Sequence, residues 1–403
     1  MKKGWQTKAL GDVCDVVGGG TPPKDKPAFY SGHIPWATVR DMRQDVITET
    51  EFQITKDAVK CSATNVIPSG NVVIATRVGL GKVCLLGQDT AINQDLRGIV
   101  PRGDKTLDIR FLYWWLKSIA DIIVAEGTGA TVQGVKLPFV KSLPIPFPSL
   151  SEQQRIVGIL DAAFEGLATA KANAEKNLRN ARALFDSHLQ AVFSQRSLSG
   201  AEGRGKGWVE KRLIEISREF GRGKSRHRPR NEPKLYNGPY PFIQTGDISN
   251  ADHWLTDYTQ TYSELGLAQS RLWPKGTICI AIVGATVGET AILDFEACFP
   301  DSVIGIVVND QLADNEYIEF LLQSFKALLK EKGKGTARDN INLGTFENQM
   351  FPFPALKRQQ EIVGTLNFLH AETQHLAAIY QRKLAALEAL KKSLLHQAFS
   401  GEL

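Results

Sequence analysis

No stretch of this sequence approaches the ~18 consecutive apolar residues of a membrane span. The N-terminal MKKGWQTKALGDV has two lysines but lacks the apolar run behind them that a secretory leader carries. A soluble, unexported, cytoplasmic chain with no membrane partner is expected. Cysteine is scarce. The five residues Cys14, Cys61, Cys84, Cys279 and Cys298 are odd in number, sit in apolar strand-like surroundings and show no Cys-x-x-Cys spacing, so buried reduced thiols are expected rather than disulfides or zinc. The seven histidines are scattered without metal-ligand spacing. GRGKS at 221–225 lacks the phosphate-cradling loop, because the glycine required five positions before Gly223 is Arg218. An Asn-Pro-Pro-Tyr amino-methylation motif is missing too, since NGPY at 237–240 has glycine at the second position. The chain therefore reads as non-catalytic. Neither sign of charge dominates: 48 Lys and Arg against 43 Asp and Glu leave +5, which permits a nucleic-acid partner without demanding one.

What the sequence does have is a long internal repeat. PIPFPSLSEQQRIVGIL at 144–160 returns 206 positions later as MFPFPALKRQQEIVGTL at 350–366. The same offset carries Pro35 to Pro241, Gly70 to Gly276, Leu137 to Leu343, Leu184 to Leu390, Ser187 to Ser393 and Phe193 to Phe399. Each copy is a globular part followed by a helical part. The globular parts carry short β-rich runs such as NVVIATRVG and TICIAIVG, punctuated by Gly, Pro and Asn, and then one apolar helical segment. Trp114 and Trp115 in the first of those segments are read as core. Boundaries follow at 1–149 and 207–355 for two globular domains and at 150–206 and 356–403 for two helical regions.

From residue 151 the apolar period changes to alternating steps of four and three. Ile156, Leu160, Ala163, Leu167, Ala170, Ala174, Asn177, Ala181, Leu184, His188 and Ala191 form one heptad seam. Ile362, Leu366, Leu369, Thr373, Leu376, Tyr380, Lys383, Leu387, Leu390, Leu394 and Gln397 form the other. The prolines upstream fix each helix start, with Ser151 as the expected first N-cap. Asn177 and Lys383 hold equivalent seam positions, where a polar side chain either fixes register or faces solvent. A two-fold arrangement of domain-plus-helix repeats predicts an antiparallel coiled coil, a spacer on the order of 60 Å at 1.5 Å per residue, with SLSGAEGRGKG at 197–207 as the flexible connector. The outer helix faces also carry apolar residues such as Val157, Ile159 and Phe164, more than one two-helix seam needs, and these mark a docking surface.

A bipartite object of this kind suits double-stranded DNA, which presents two sites about one helical turn or more apart. The charge distribution agrees. Arg218, Arg222, Lys224, Arg226, Arg228, Arg230 and Lys234 crowd one Gly- and Pro-rich stretch against only Glu219 and Glu232. Polar loops recur at matching places with different side chains, as base readers of different sequences require. They supply Thr21 and Lys24; Thr38 and Arg40 opposite Thr245 and Asp247; Arg77 and Lys82 opposite Thr286; and Thr131 and Gln133 opposite Lys334, Arg338 and Asn340. With Arg222, Lys224, Arg226 and Arg228, these are the candidate DNA-binding residues.

On VVGGGTP, PFPSLSEQQRIVGILD with its second copy PFPALKRQQEIVGTLN, and the closing LLHQAFSGEL, the whole chain resembles the DNA specificity subunit of type I restriction-modification systems. That resemblance implies an α+β fold of two similar target-recognition domains, separated by two long antiparallel coiled-coil helices in a pseudo-two-fold tandem repeat. It implies a split, asymmetric DNA site. It also implies two modification (methyltransferase) subunits docked on the helices, supplying S-adenosylmethionine, and motor-nuclease restriction subunits using ATP and Mg. The second copy departs from the glycine-rich motif, with EFGRGKS in place of VVGGGTP. Two other readings remain open: a coiled-coil scaffold that does not bind DNA, which would not need basic, divergent loops, and the specificity half of a fused restriction enzyme, which would need catalytic motifs.

Overall fold

The computed structural model describes residues 4–103, 106–127, 134–197, 207–227, 229–333 and 343–403. The chain divides into two compact units, one of Met1–Glu175 with Gln381–Leu403 and the other of Lys176–Tyr380.

Strand patterning explains how each domain is layered. Val72–Ala75 is buried throughout: Val72 and Ile74 face a core that holds Trp115 and Phe111, while Val73 and Ala75 face a second core with Leu86 and Ile92. Successive side chains point to opposite faces, so a strand covered on both sides must read as a continuous apolar run. Ile278–Ala281 repeats this, with Ile278 and Ile280 on one side and Cys279 and Ala281 on the other.

Around those strands the domains have one topology. The first has a five-stranded sheet in the order Cys14–Gly18, Leu96–Pro101, Val72–Ala75, Val83–Leu86, Val46–Ile47. The second has Ser217–Arg222, Val303–Val308, Ile278–Ala281, Thr290–Leu293, Trp254–Leu255. A four-stranded sheet follows in each: Phe52–Ile54, Ile34–Ala37, Thr90–Ile92, Asn65–Ile67 in one, and Gln260–Tyr262, Tyr236–Phe242, Ala297–Cys298, Leu272–Trp273 in the other. Gln6–Ala9 pairs with Pro144–Phe147, and Val209–Arg212 with Met350–Phe353, so both ends of each domain meet in one antiparallel ladder.

Besides shorter helical turns, the described residues include four helices of ten residues or more: α1 (Ile109–Ser118), α2 (Leu150–Ser197), α3 (Asn315–Gly333) and α4 (Leu356–Ser400). Asp108 caps α1, its Oδ1 accepting from the backbone N–H of Arg110 at 2.8 Å and Phe111 at 3.0 Å. Trp114 and Trp115 are core residues, 6% and 2% exposed. Helix α2 begins at Leu150, two residues before the start that a Ser151 cap would give, and Ser149 rather than Ser151 provides its cap, accepting from Glu152 N.

The repeated Gln-Gln pair has a structural cause. Gln153 is fully buried; its Oε1 accepts from Asp108 N at 2.8 Å, and its Nε2 donates to Thr106 O and Pro148 O, each at 3.0 Å. Gln359 does the same in the second copy, accepting from Asp314 N and donating to Pro354 O. Each glutamine ties the start of a long helix to the start of its domain's buried helix, while Gln154 and Gln360 face solvent. Replacing Gln153 with alanine strands three buried polar groups and is expected to cost about 3–5 kcal/mol. Gln154→Ala should stay within about 0.5 kcal/mol. Denaturant midpoints of the two variants check this, and equal midpoints would reject the fastening role.

Within each unit the long helices run antiparallel. In the first, Arg155 donates to Leu403 O at 2.8 Å and Lys171 pairs with Glu388 at 2.7 Å. In the second, the rings of Phe185 and His370 meet at 4.7 Å. The expected seam of α2 holds through Ala174 and Ala181 and then moves by one residue: Phe185, Leu189 and Phe193 are buried, while Leu184 is 49% exposed. Beyond Ala181 the helix packs on a globular core instead of following one partner helix, with Phe185 5.9 Å from Phe320 and Phe193 5.6 Å from Tyr317. In α4, Lys383 is exposed and Leu384 is half-buried beside it, so Lys383 faces solvent. Leu390, an expected seam residue, is 47% exposed.

The first unit shows the matching exchange. Phe399 of α4 packs on Phe111 at 5.1 Å, and Leu395 and Ala398 are buried in the same core. Each long helix thus begins on its own domain and finishes in the core of the other repeat's domain. Val157 and Phe164, expected on an outer face, belong to this core as well, with Phe164 4.6 Å from Trp114; only Ile159 stays exposed. Four cysteines are buried as expected, and burial pushes Cys14 up to about 12 and Cys84 to about 11. Cys61 differs: it lies exposed at the end of a short surface helix.

One buried charge cluster is peculiar to the second unit. Glu319 is fully buried, accepting from Thr290 Oγ1 at 2.7 Å and Gln323 Nε2 at 2.6 Å, with His253 Nδ1 at 2.6 Å. Burial lowers the His253 pKa, but its hydrogen bonds to Glu316 and Glu319 outweigh burial and raise it to about 9, so an imidazolium balances the buried carboxylate at neutral pH. Among the described residues no helix is long and apolar enough to cross a membrane, and no group of three His, Cys, Asp or Glu is placed to hold a metal ion.

Candidate nucleic-acid interface

The glycine-rich motif and the basic run occupy one place in the two domains. In the five-stranded sheets Gly18 lies opposite Arg97 and Val17 opposite Gly98, while Arg222 lies opposite Ile304 and Gly221 opposite Gly305. Gly18 is therefore matched by Arg222, Gly19 by Gly223 and Gly20 by Lys224. The middle glycine is kept for space: a Cβ on Gly19 would sit 2.1 Å from Asn93 O, and one on Gly223 2.2 Å from Phe299 O. The backbone beside it is held alike, Thr64 Oγ1 donating to Gly20 O at 2.9 Å and Ser270 Oγ to Lys224 O at 2.7 Å. The flanking glycines have become cations. The motif's apparent loss in the second copy is a shift of two residues in the repeat offset plus two substitutions.

In the first domain this strand end opens onto a cavity of about 580 Å³, and Thr21, Lys24, Thr38 and Arg40 all line it. Its walls add residues that periodicity could not single out. Tyr30, Trp36 and Phe52 form a chain of edge-on rings, Tyr30–Trp36 at 5.9 Å and Trp36–Phe52 at 6.3 Å. Trp36 is fixed by its Nε1 donating to Gly20 O at 3.1 Å. Thr21 donates to Gln94 across the rim. Arg77 pairs with Asp95 of the same cavity at 3.7 Å, and Lys82 closes the hairpin that starts at Arg77. A fixed Gly-rich strand end carrying its own aromatic partner is the signal that could have found Trp36, but it needs the four-stranded sheet pairing, which lies outside any local window.

The second domain presents exposed Arg222, Lys224 and Arg226 on the same edge. Other cations of the run are paired internally: Arg230 with Asp301 at 2.8 Å and Arg218 with Asp310. Thr245 and Asp247 depart from the base-reading expectation. Asp247 is 9% exposed and its Oδ2 accepts from Gln244 N at 2.7 Å, as Asp41 Oδ2 accepts from Thr38 N at 2.7 Å, so both acids close the same turn. Thr245 is half-buried in the first turn of the helix that follows. Thr38 also spends its hydroxyl on that turn, donating to Asp41 at 3.0 Å. Thr286 donates to Val283 O at 3.1 Å within the loop that matches Arg77–Lys82. Thr131, Gln133, Arg228, Lys334, Arg338 and Asn340 lie outside the described residues, as does nearly all of the expected connector at 197–207.

Known proteins resemble this chain in sequence and in fold. The chain is 24% identical over 421 residues to the type I restriction enzyme MjaIX specificity subunit of Methanocaldococcus jannaschii, covering 100% of this chain and 94% of that one. It is 35% identical over 161 residues to the EcoR124I/EcoR124II specificity subunit of Escherichia coli, covering 38% and 39%. Among solved structures, a chain described under complex assembly and conformational transition of the type I R-M system superposes with a TM-score of 0.81, at 21% identity over 100% of this chain and 99% of that one. The HsdS subunit from Thermoanaerobacter tengcongensis gives 0.66, at 21% identity over 100% and 98%. The sequence profile of the type I restriction modification DNA specificity domain matches twice, at residues 2–177 and 205–387, in step with the two domains of identical topology. The chain belongs to the type I restriction-modification specificity-subunit family, with two target-recognition domains and a long helix between them.

Proposed function

We propose that this chain selects the DNA sequence on which a type I restriction-modification complex acts. Each domain reads one part of a bipartite, asymmetric site in double-stranded DNA. The long helices receive two modification subunits that carry S-adenosylmethionine, and motor-nuclease subunits working with ATP and Mg join them. The chain itself performs no bond chemistry. The observation that supports this reading is one framework carrying unlike side chains at matching places: Gly18 against Arg222, Gly20 against Lys224, Thr38 against Gln244, and Phe52 against Gln260. Two readers of different sequences need a shared scaffold and unlike side chains, because base edges differ only in the donors, acceptors and methyl groups they present.

Replacing Arg222, Lys224 and Arg226 together with alanine should weaken binding about equally on all sequences. It should also reduce the slope of log affinity against log salt by about 2 to 3, close to one per lost phosphate contact. Titrations of labelled duplex between low and moderate salt measure both. An unchanged slope would remove this edge from the interface. Failure of the full chain to bind DNA at any salt would favour a protein-joining scaffold, and methyl transfer by the chain alone would favour a self-sufficient enzyme. Methylated-motif sequencing of a host carrying the complete system gives the site directly.

A further inference from the structure

The first domain's cavity has a feature that reading base edges in a groove does not require. Phe52 and Val78 stand at its mouth with 40% and 48% of their surface in water, while Trp36 forms its buried floor at 6%. Aromatic and aliphatic surface left open around a recess of this size is an unfilled site for a flat apolar ring. Lys24 and the 71% exposed side chain of Arg40, which also pairs with Glu51 at 3.6 Å, flank the mouth. Gln94, whose side chain is positioned by Thr21, places an amide where the edge of such a ring would lie.

The second domain has closed the same place. Gln260 occupies the position of Phe52 in the sheet register, and Gln244 that of Thr38; their side chains hydrogen-bond at 2.6 Å across what is the mouth in the first domain. Behind them Phe242, at the position of Trp36, stacks on Tyr262 at 3.9 Å and 16°.

We propose that the first domain's cavity receives one base swung out of the duplex within its own half-site, and that the second domain reads its half-site with the stack intact. This rests on the reading of the first domain as a DNA reader. The base lies against the exposed surfaces of Phe52 and Val78 over the Trp36 floor, its polar edge meets Gln94, and Lys24 and Arg40 hold the phosphates on either side. A base can be extruded more easily when its pairing partner is mismatched or missing, and this gives the proposal a signature that groove contacts lack.

The test uses the full chain alone, without modification subunits, and duplexes carrying the methylated motif. Each position of the first domain's half-site is mispaired or placed opposite an abasic site in turn. One position should bind at least tenfold more tightly when mispaired, and no position of the second half-site should. Phe52→Gln, which copies the second domain, should abolish that gain, so that the mispaired and the paired duplex bind alike. Val78→Gln, at an equally exposed position, provides a second variant should Phe52→Gln lower the melting temperature. No tightening at any position, or tightening that survives both substitutions, overturns the proposal while leaving DNA recognition standing. Failure of the wild-type chain to prefer the paired motif over random duplex would instead sink the underlying DNA reading.

Discussion

Exchange of residues 208–353 for the corresponding segment of another specificity subunit is expected to rewrite one half-site completely and leave the other unchanged. Specific and non-specific binding differ by about 10³–10⁷-fold, so the switch should read as present or absent in methylated-motif sequencing. The structure says why these joints are clean. Val209–Arg212 and Met350–Phe353 are neighbours in one antiparallel ladder, so the segment leaves and enters at a single point. It also sets a condition on the donor. The segment's Tyr317, Phe320, Phe346, Phe351 and Phe353 pack with Phe185, Leu189, Phe193, Ile362 and Leu366 of the retained helices, and Asp314 N is bonded by the retained Gln359. A donor that keeps those aromatic volumes should fold, whereas one that does not should lose assembly before specificity can be measured. Change in both half-sites, or in neither, would rule out independent reading by the two domains.

Removal of Gln381–Leu403 should unfold the N-terminal domain, although no residue of that domain is touched. The deletion takes buried Leu395 and Ala398 and half-buried Phe399 away from its core, uncovering Phe111. A loss of about 2–5 kcal/mol for buried Leu395, together with part of the ~3–5 kcal/mol of a fully buried Phe for half-buried Phe399, approaches the whole stability of an ordinary domain. The unit of Lys176–Tyr380 contains none of the deleted residues and should keep its melting transition. Limited proteolysis or hydrogen exchange resolved by region separates the two, and retained protection of Phe111–Leu116 would contradict this account. The same geometry makes deletion of residues 360–403 a poor test of the helices as a docking surface, because it removes core and surface together. Charged substitutions at exposed Phe368, 69% accessible, test docking without that confusion.

Sequence patterning is most informative where burial depends on a local period. The buried strands around Val72 and Ile278, the Trp114–Trp115 core and the duplicated topology are all legible, because alternation and the repeat offset report them directly. It fails where a residue's partner comes from elsewhere in the chain. The heptad rule assumes one partner along the whole helix, so it places Leu184, His188 and Ala191 in a seam. The helix instead leaves that partner and enters a globular core through Phe185, Leu189 and Phe193. Val157 and Phe164 are misplaced for the same reason, being buried against α1. Polar loops are recognisable as recurring, yet sequence does not tell an acid that closes a turn, such as Asp247, from one free to meet a ligand. The aromatic cavity escapes altogether, because Tyr30, Trp36, Phe52 and Gln94 come together only through sheet pairing.

The exchange of helix ends also dictates a timetable for biosynthesis. The N-terminal domain is translated before the second domain, but its core is closed by Leu395, Ala398 and Phe399, which follow that second domain in the chain. Residues 176–380 must be made in between, and at 5–20 residues per second that takes about 10–40 s. For that interval the nascent domain exposes Phe111 and its neighbours, while the later domain already has its borrowed helix, Lys176–Ser197, waiting for it. Of the two domains, the one synthesised first is therefore completed second, and until then its apolar core stays open, the condition that favours aggregation.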